Sequence, residues 1–193
     1  MSLRNMIFVA MFAALTAVGA WISVPLPFSP VPIALASLLA LLSGAVVGKW
    51  LGALSQVVYV LMGLAGIPVF AHFTAGPGVV AGPTGGYLAG YIAGAFITGL
   101  MIENMPRLQP YVRFGAGLTA GTLVIYLMGV PWLAYVTGMN IPAAMAAGMY
   151  PFLPGDALKV IIGTILCAGL ATQLALMQLP VSRSGPAGQA EFD

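Results

Sequence analysis

The sequence predicts an all-α integral membrane protein, a bundle of six transmembrane helices with both termini in the cytoplasm. Three observations lead there. Hydrophobic residues make up 61% of the 193 and charged residues only 5%, against roughly 25% charged residues in ordinary soluble domains. Charge-free stretches recur at about the 20-residue length that a helix needs to cross a hydrocarbon core. The basic residues are also one-sided. With the N-terminus inside, Arg4, Lys49, Arg107, Arg113 and Arg183 fall at cytoplasmic ends or loops, while the external connections near 25–30, 68–85 and 131–154 contain neither Lys nor Arg, as the positive-inside rule requires. The net charge of +2 is this topological signal and points to no nucleic-acid partner.

The spans are placed near 5–24, 31–48, 50–67, 86–104, 111–130 and 155–178. The first imitates a signal peptide, with Arg4 ahead of an apolar run and small residues Ala17, Gly19 and Ala20 after it. Apolar spans follow it instead of a soluble domain, so it is read as a helix that stays. It presents small faces through Ala10 and Ala14 and through Ala13 and Ala17. The first external connection carries prolines 25, 27, 30 and 32, which bar a helix and fix an extended strap. The long connection from Gly66 to Tyr87 is apolar and glycine-rich, and its backbone must be buried in protein or line a cavity. Gly86, Gly90 and Gly94 share one face of the fourth span, as Gly117 and Gly121 do in the fifth, a spacing that lets helix backbones approach closely within the bundle. Residues 1–179 are expected to form one domain, and the polar stretch 180–193 a disordered cytoplasmic tail. Cys167, the only cysteine, permits no internal disulfide.

The chemistry concentrates at Pro154-Gly155-Asp156-Ala157-Leu158-Lys159, where an acid and a base stand one turn apart at the external mouth of the sixth span. A structural role suits Asp156 alone, since a carboxylate in the first turn satisfies free N–H groups and the helix dipole. It suits Lys159 poorly, because a cation there opposes the dipole. Membrane-embedded charges cost roughly 2.5–3.5 kcal/mol on insertion scales and usually mark function. Such a pair in an aromatic, otherwise uncharged cup fits a small solute with N–H donors and an anionic or carbonyl group. Candidate walls are Phe70, Phe73, Tyr87, Tyr91, Tyr150 and Phe152, although single aromatics near a span end also serve as interfacial belts. His72 has no Cys, Asp or Glu near it in sequence, so neither a metal nor a cofactor is expected.

Other classes lose ground through what is missing. No G-x-x-x-x-G-K-[ST] phosphate loop occurs, so ATP hydrolysis must come from another protein if transport is uphill. Neither H-E-x-x-H nor G-x-S-x-G occurs, and an enzyme is not expected. A passive channel should carry a continuous polar stripe, whereas the polar side chains here cluster at the outer ends.

Three segments together, Gly66-Ile67-Pro68-Val69-Phe70-Ala71, Gly82-Pro83-Thr84-Gly85-Gly86-Tyr87-Leu88 and Pro154-Gly155-Asp156-Ala157-Leu158-Lys159, resemble the BioY family, the biotin-specific substrate-binding (S) components of energy-coupling factor (ECF) vitamin transporters. The resemblance extends over essentially the whole chain. It implies high-affinity biotin capture at the outer face of a bacterial or archaeal cytoplasmic membrane, with a transmembrane coupling subunit and a pair of ABC-type ATPases as partners. By the same resemblance Asp156 matches the acid that accepts hydrogen bonds from the ureido head of biotin, and Lys159 the nearby polar donor. Phe70, Phe73, Tyr87 and Tyr91 would pack on the ligand, the 70–87 loop and the 25–32 strap would close over it, and Ala10 and Ala14 match the Ala-x-x-x-Ala spacing that docks on the coupling subunit. Ala13 and Ala17 match it equally. An S component for another vitamin and a passive channel or structural subunit are the alternatives.

Overall fold

A computed structural model of the chain describes residues 2–177. Its elements are α1 (Leu3–Trp21), β1 (Ser23–Leu26), β2 (Ser29–Ala34), α2 (Ala36–Val47), α3 (Lys49–Leu64), α4 (Pro77–Ala81), α5 (Gly85–Asn104), α6 (Pro110–Thr137), α7 (Ile141–Gly148) and α8 (Leu153–Met177), with a 3-10 turn at Ala71–Phe73. By length and composition α1, α5, α6 and α8 can each cross a membrane, while α2 and α3 are apolar but shorter. The tail expected from residue 180 lies outside the described residues.

The fold is not all-α, because the proline-rich strap is an antiparallel hairpin. Ser23 pairs with Ala34, Val24 with Ile33 and Leu26 with Ser29, with an irregularity between Val24 and Leu26. None of those paired positions is a proline. Pro25 falls in the irregularity, Pro27 in the turn, and Pro30 and Pro32 between pairs, where a residue without an N–H does least harm to a ladder. The expected second span, 31–48, therefore divides into the end of β2 and a 12-residue α2. Gly48 then reverses the chain with φ of 86°, a left-handed conformation that glycine adopts without steric cost.

The expected fifth span, 111–130, is extended. α6 continues through Pro131 to Thr137 over 28 residues, since a membrane helix tolerates the donor that proline removes when neighbouring helices cover it. The glycine faces do meet there. Gly94 lies against the backbone of Gly121, and a Cβ at Gly121 would collide with Thr98, so α5 and α6 pack backbone to backbone.

One buried cluster joins Tyr87 of α5 to Ile125, Tyr126 and Leu133 of α6 and to Phe152. A second joins Ala13, Ala17 and Ala20 of α1 to Tyr59 of α3 and to Phe70. Tyr91 packs against both clusters, and a cavity opens between them. The two small faces of α1 are thereby told apart: Ala13 and Ala17 are buried, while Ala10 and Ala14 are exposed.

Candidate functional site

The cavity has a volume of about 210 Å³ and takes lining residues from nearly every element of the fold. Pro30, Val31 and Pro32 of β2 form one wall, Phe70 and the adjoining loop a second, and Tyr87 and Tyr91 of α5 a third. Asp156 and Lys159 enter from α8, one helical turn apart.

Their surroundings explain how two charges persist there. The Lys159 ammonium donates to Asp156 Oδ1 at 2.9 Å, to the Ala34 carbonyl at 2.7 Å and to Ser37 Oγ at 3.0 Å. An ammonium has three protons, so each has an acceptor. These acceptors offset a cation placed against the helix dipole, and they tie α8 to the point where the hairpin passes into α2. Asp156 receives a second hydrogen bond at its other oxygen, Oδ2, from the Tyr126 hydroxyl. The pair is mostly shielded, with 12% of the Lys159 and 15% of the Asp156 side chain exposed.

The aromatic candidates divide. Phe70 is buried, meets Tyr59 edge to face at 5.6 Å and fills the space that Gly63 leaves open. Tyr87 lines the cavity but its hydroxyl donates to the Gly148 carbonyl at 2.7 Å, so it also fixes α7 against α5. Tyr91 lines the cavity, and for its hydroxyl no hydrogen-bond partner occurs among the described residues. Phe152 lines the cavity, whereas Tyr150 does not and is exposed. Phe73, unlike the other candidates from this loop, stands outside the cavity, 63% exposed, with its ring 5.2 Å from that of Trp21.

The reason is local. His72 and Phe73 both take positive φ, 55° and 58°, a conformation that costs non-glycine residues roughly 1–2 kcal/mol each. That turn directs His72 to the cavity and Phe73 away from it. The loop is held at both hems by indole N–H groups, Trp21 donating to the Pro68 carbonyl and Trp132 to the Gly82 carbonyl, each at 2.9 Å. Among the described residues no group of His, Cys, Asp or Glu could hold a metal ion.

Comparison with known proteins matches this architecture. A model described as the BioY family matches residues 1–176. The chain belongs to the BioY family. Among curated relatives, the biotin transporter BioY of Thermotoga maritima is 40% identical, over 94% of this chain and 100% of its own length. The biotin transporter BioY of Rhodobacter capsulatus is 37% identical, over 87% of this chain and 93% of its own. A solved structure described as the S-component for biotin from an ECF-type ABC transporter superposes with a TM-score of 0.81 over 88% of this chain and 92% of that one. At 22% identity this likeness establishes the fold.

Within this BioY chain, three polar residues at the cavity escaped the reading of the sequence: Ser37, Tyr59 and Tyr126. Each sits inside an apolar helix, distant in sequence from the motif it serves; Tyr126 lies 30 residues from Asp156. A signal was available for Tyr126, since a phenol in the middle of a membrane span needs a hydrogen-bond partner. The partner's identity depends on how α6 packs on α8.

Proposed function

We propose that this BioY-family chain is the biotin-capturing S component of an ECF-type importer and carries no catalysis of its own. The observation that carries this reading is the shielded Asp156–Lys159 pair at the wall of a cavity otherwise lined mainly by aromatic and aliphatic groups. A ureido ring brings an N–H donor for a carboxylate, and a thiophane ring with an aliphatic chain suits the apolar wall. A desolvated site of this kind rewards a ligand that satisfies its charged acceptor and leaves no buried polar group unpaired.

The same reading has α2 and α3 complete six crossings, with both termini in the cytoplasm of a bacterium or archaeon. The cations support it. Arg4 and Arg113 stand near the starts of α1 and α6, and Lys49 and Arg107 just beyond the ends of α2 and α5. The cavity takes residues from the opposite ends of those helices: Ala20, Tyr126, Ser37 and Tyr87. A cation-rich inner end therefore has the cavity opening outward. A coupling subunit and two ABC-type ATPases supply the energy, and the exposed Ala10 and Ala14 on α1 offer close backbone approach to the former.

Calorimetric titration of purified, vitamin-free protein tests the reading, with thiamine and riboflavin as controls. One biotin should bind tightly per chain and neither control should bind. Asp156→Asn should weaken biotin by about tenfold to a hundredfold, the scale of one hydrogen bond to a charged group at roughly 1.5–3 kcal/mol. Wild-type affinity in Asp156→Asn, or equal binding of another vitamin, overturns it.

A further inference from the structure

The donors at the charged wall of the cavity are already engaged. The three protons of Lys159 go to Asp156, the Ala34 carbonyl and Ser37, and the Tyr126 hydroxyl goes to Asp156. Elsewhere in the lining Tyr87 donates to the Gly148 carbonyl, Thr74 to that of Ala71 and Thr84 to that of Val79. The formal charges of the lining, Asp156 and Lys159, cancel. A ligand with an anionic tail therefore meets neither a free ammonium proton nor a net positive charge there. Among the described residues that line the cavity, the side-chain donors without a hydrogen-bond partner are those of Tyr59, Tyr91 and His72. Of these only an imidazole can also carry positive charge.

His72 stands on a different wall from the ion pair. Its turn packs on α1, whereas α8 packs on α6 and α2. His72 is exposed while the pair is shielded, which places it at the mouth. The turn retains two successive left-handed residues, a strain that persists only where the surroundings over-determine it and that collects at ligand clamps. The surroundings here are the Trp21 ring, on which Phe73 stacks, and the Ala71 carbonyl, which accepts from both the N–H and the hydroxyl of Thr74.

We infer that His72 is the recognition point for the anionic end of the ligand: with the ureido ring of biotin at Asp156 and its chain along the aromatic walls, the valerate carboxylate meets the imidazole N–H at the cavity mouth. The inference rests on the biotin reading above and adds to it the second end of the ligand. A neutral imidazole has one N–H to donate, and an imidazolium donates more strongly.

The test compares biotin with biotinamide, its uncharged primary amide, by calorimetry in wild-type, His72→Gly and Asp156→Asn protein. Glycine takes positive φ without steric cost, so the turn survives the loss of the ring. The wild type should prefer biotin over biotinamide by about five- to tenfold, between an ion pair open to water and a shielded hydrogen bond to a charged group. His72→Gly should weaken biotin by that factor and leave biotinamide nearly unchanged, so that the preference disappears. Asp156→Asn should weaken both ligands alike and keep the preference. Equal binding of the two ligands by the wild type, or a preference that survives His72→Gly, overturns the role of His72. Wild-type biotin binding by Asp156→Asn overturns instead the biotin site on which it rests.

A second readout does not depend on any variant. The chain has one histidine, so nitrogen-15 labelling of histidine reports His72 alone. Saturating biotin should shift the ring nitrogen signals and biotinamide should shift them less. Ring signals unmoved by bound biotin overturn the proposal.

Discussion

Two lysine–carboxylate pairs bracket α2, and they differ in everything except distance. Lys49 and Glu103 meet at 2.8 Å just beyond its end, with 26% and 41% of their side chains exposed; Lys159 and Asp156 meet at 2.9 Å beside its start, with 12% and 15% exposed. Twelve helical residues, about 18 Å, separate the two environments. At the end that the proposed topology places inside, Glu103 accepts from the Lys49 ammonium and also from its backbone N–H at 3.1 Å, so it caps α3 as well as pairing. At the outer end the charges are shielded and bound to three further groups, Tyr126, Ser37 and the Ala34 carbonyl. An exposed pair contributes little to stability, and a shielded one is seldom a net gain over well-packed apolar residues. The inner pair is an end cap, and the outer pair is accounted for by the ligand proposed for it.

The sharpest way to break this contrast is to remove charge from the outer pair in two steps. Lys159→Met leaves Asp156 shielded without its counter-ion and strips the donor from Ala34 and Ser37. Breaking one partner of a shielded pair costs about 3–5 kcal/mol, so the thermal midpoint in detergent should fall steeply and biotin binding should vanish. Adding Asp156→Asn removes the stranded charge. The double variant should regain much of the lost stability and none of the binding. Recovery of both, or of neither, contradicts the view that the charges serve the ligand at the expense of the fold.

How far the sequence disclosed these two ends also differs. The helix seam was legible because its signal is local: the four-residue spacing of Gly90 and Gly94 marks the face of α5 that packs on α6 at Ile125 and Gly121. At the outer end, Asp156 and Lys159 were legible because two charges one turn apart stand out in an apolar chain. Their partners were not. Ser37 lies 122 residues from Lys159 and Tyr126 lies 30 from Asp156, and helix packing alone brings them together. The hairpin was hidden for another reason. Prolines announce an extended path but cannot donate to a ladder, so they suggest a strap, and the pairing of the residues between them is set by the reversal at Pro27 and Phe28. Phe73 was misplaced because a loop with two successive left-handed residues does not alternate its side chains as an extended segment does.

A smaller effect separates the contributions within the outer pair. Ser37→Ala removes one of the three acceptors of Lys159 and keeps the charges. A hydrogen bond of this kind is worth about 0.5–1.5 kcal/mol, and more with a charged partner. The ammonium then has a proton to spare for a ligand or a water, so stability should drop modestly while biotin affinity changes by less than in Lys159→Met. A loss of binding as complete as that of Lys159→Met would move the essential contact from the ion pair to α2.

The smallest effect belongs to the inner pair. Glu103→Gln keeps an amide oxygen able to accept from the Lys49 backbone N–H, so the cap on α3 survives, and it deletes only the ionic component. For a pair this exposed that component is worth under ~1 kcal/mol. The thermal midpoint should shift slightly and biotin affinity by less than about fivefold, since at about 18 Å along α2 a direct Coulomb contribution is under ~1 kcal/mol at an effective dielectric of 20. Should Glu103→Gln weaken biotin binding by more than about tenfold, a direct Coulomb contribution, about 0.9 kcal/mol at 18 Å and an effective dielectric of 20, is too small to account for it. The effect would have to travel through α2 itself, from its junction with α3 to Ser37, and the two ends of that helix would then be mechanically coupled.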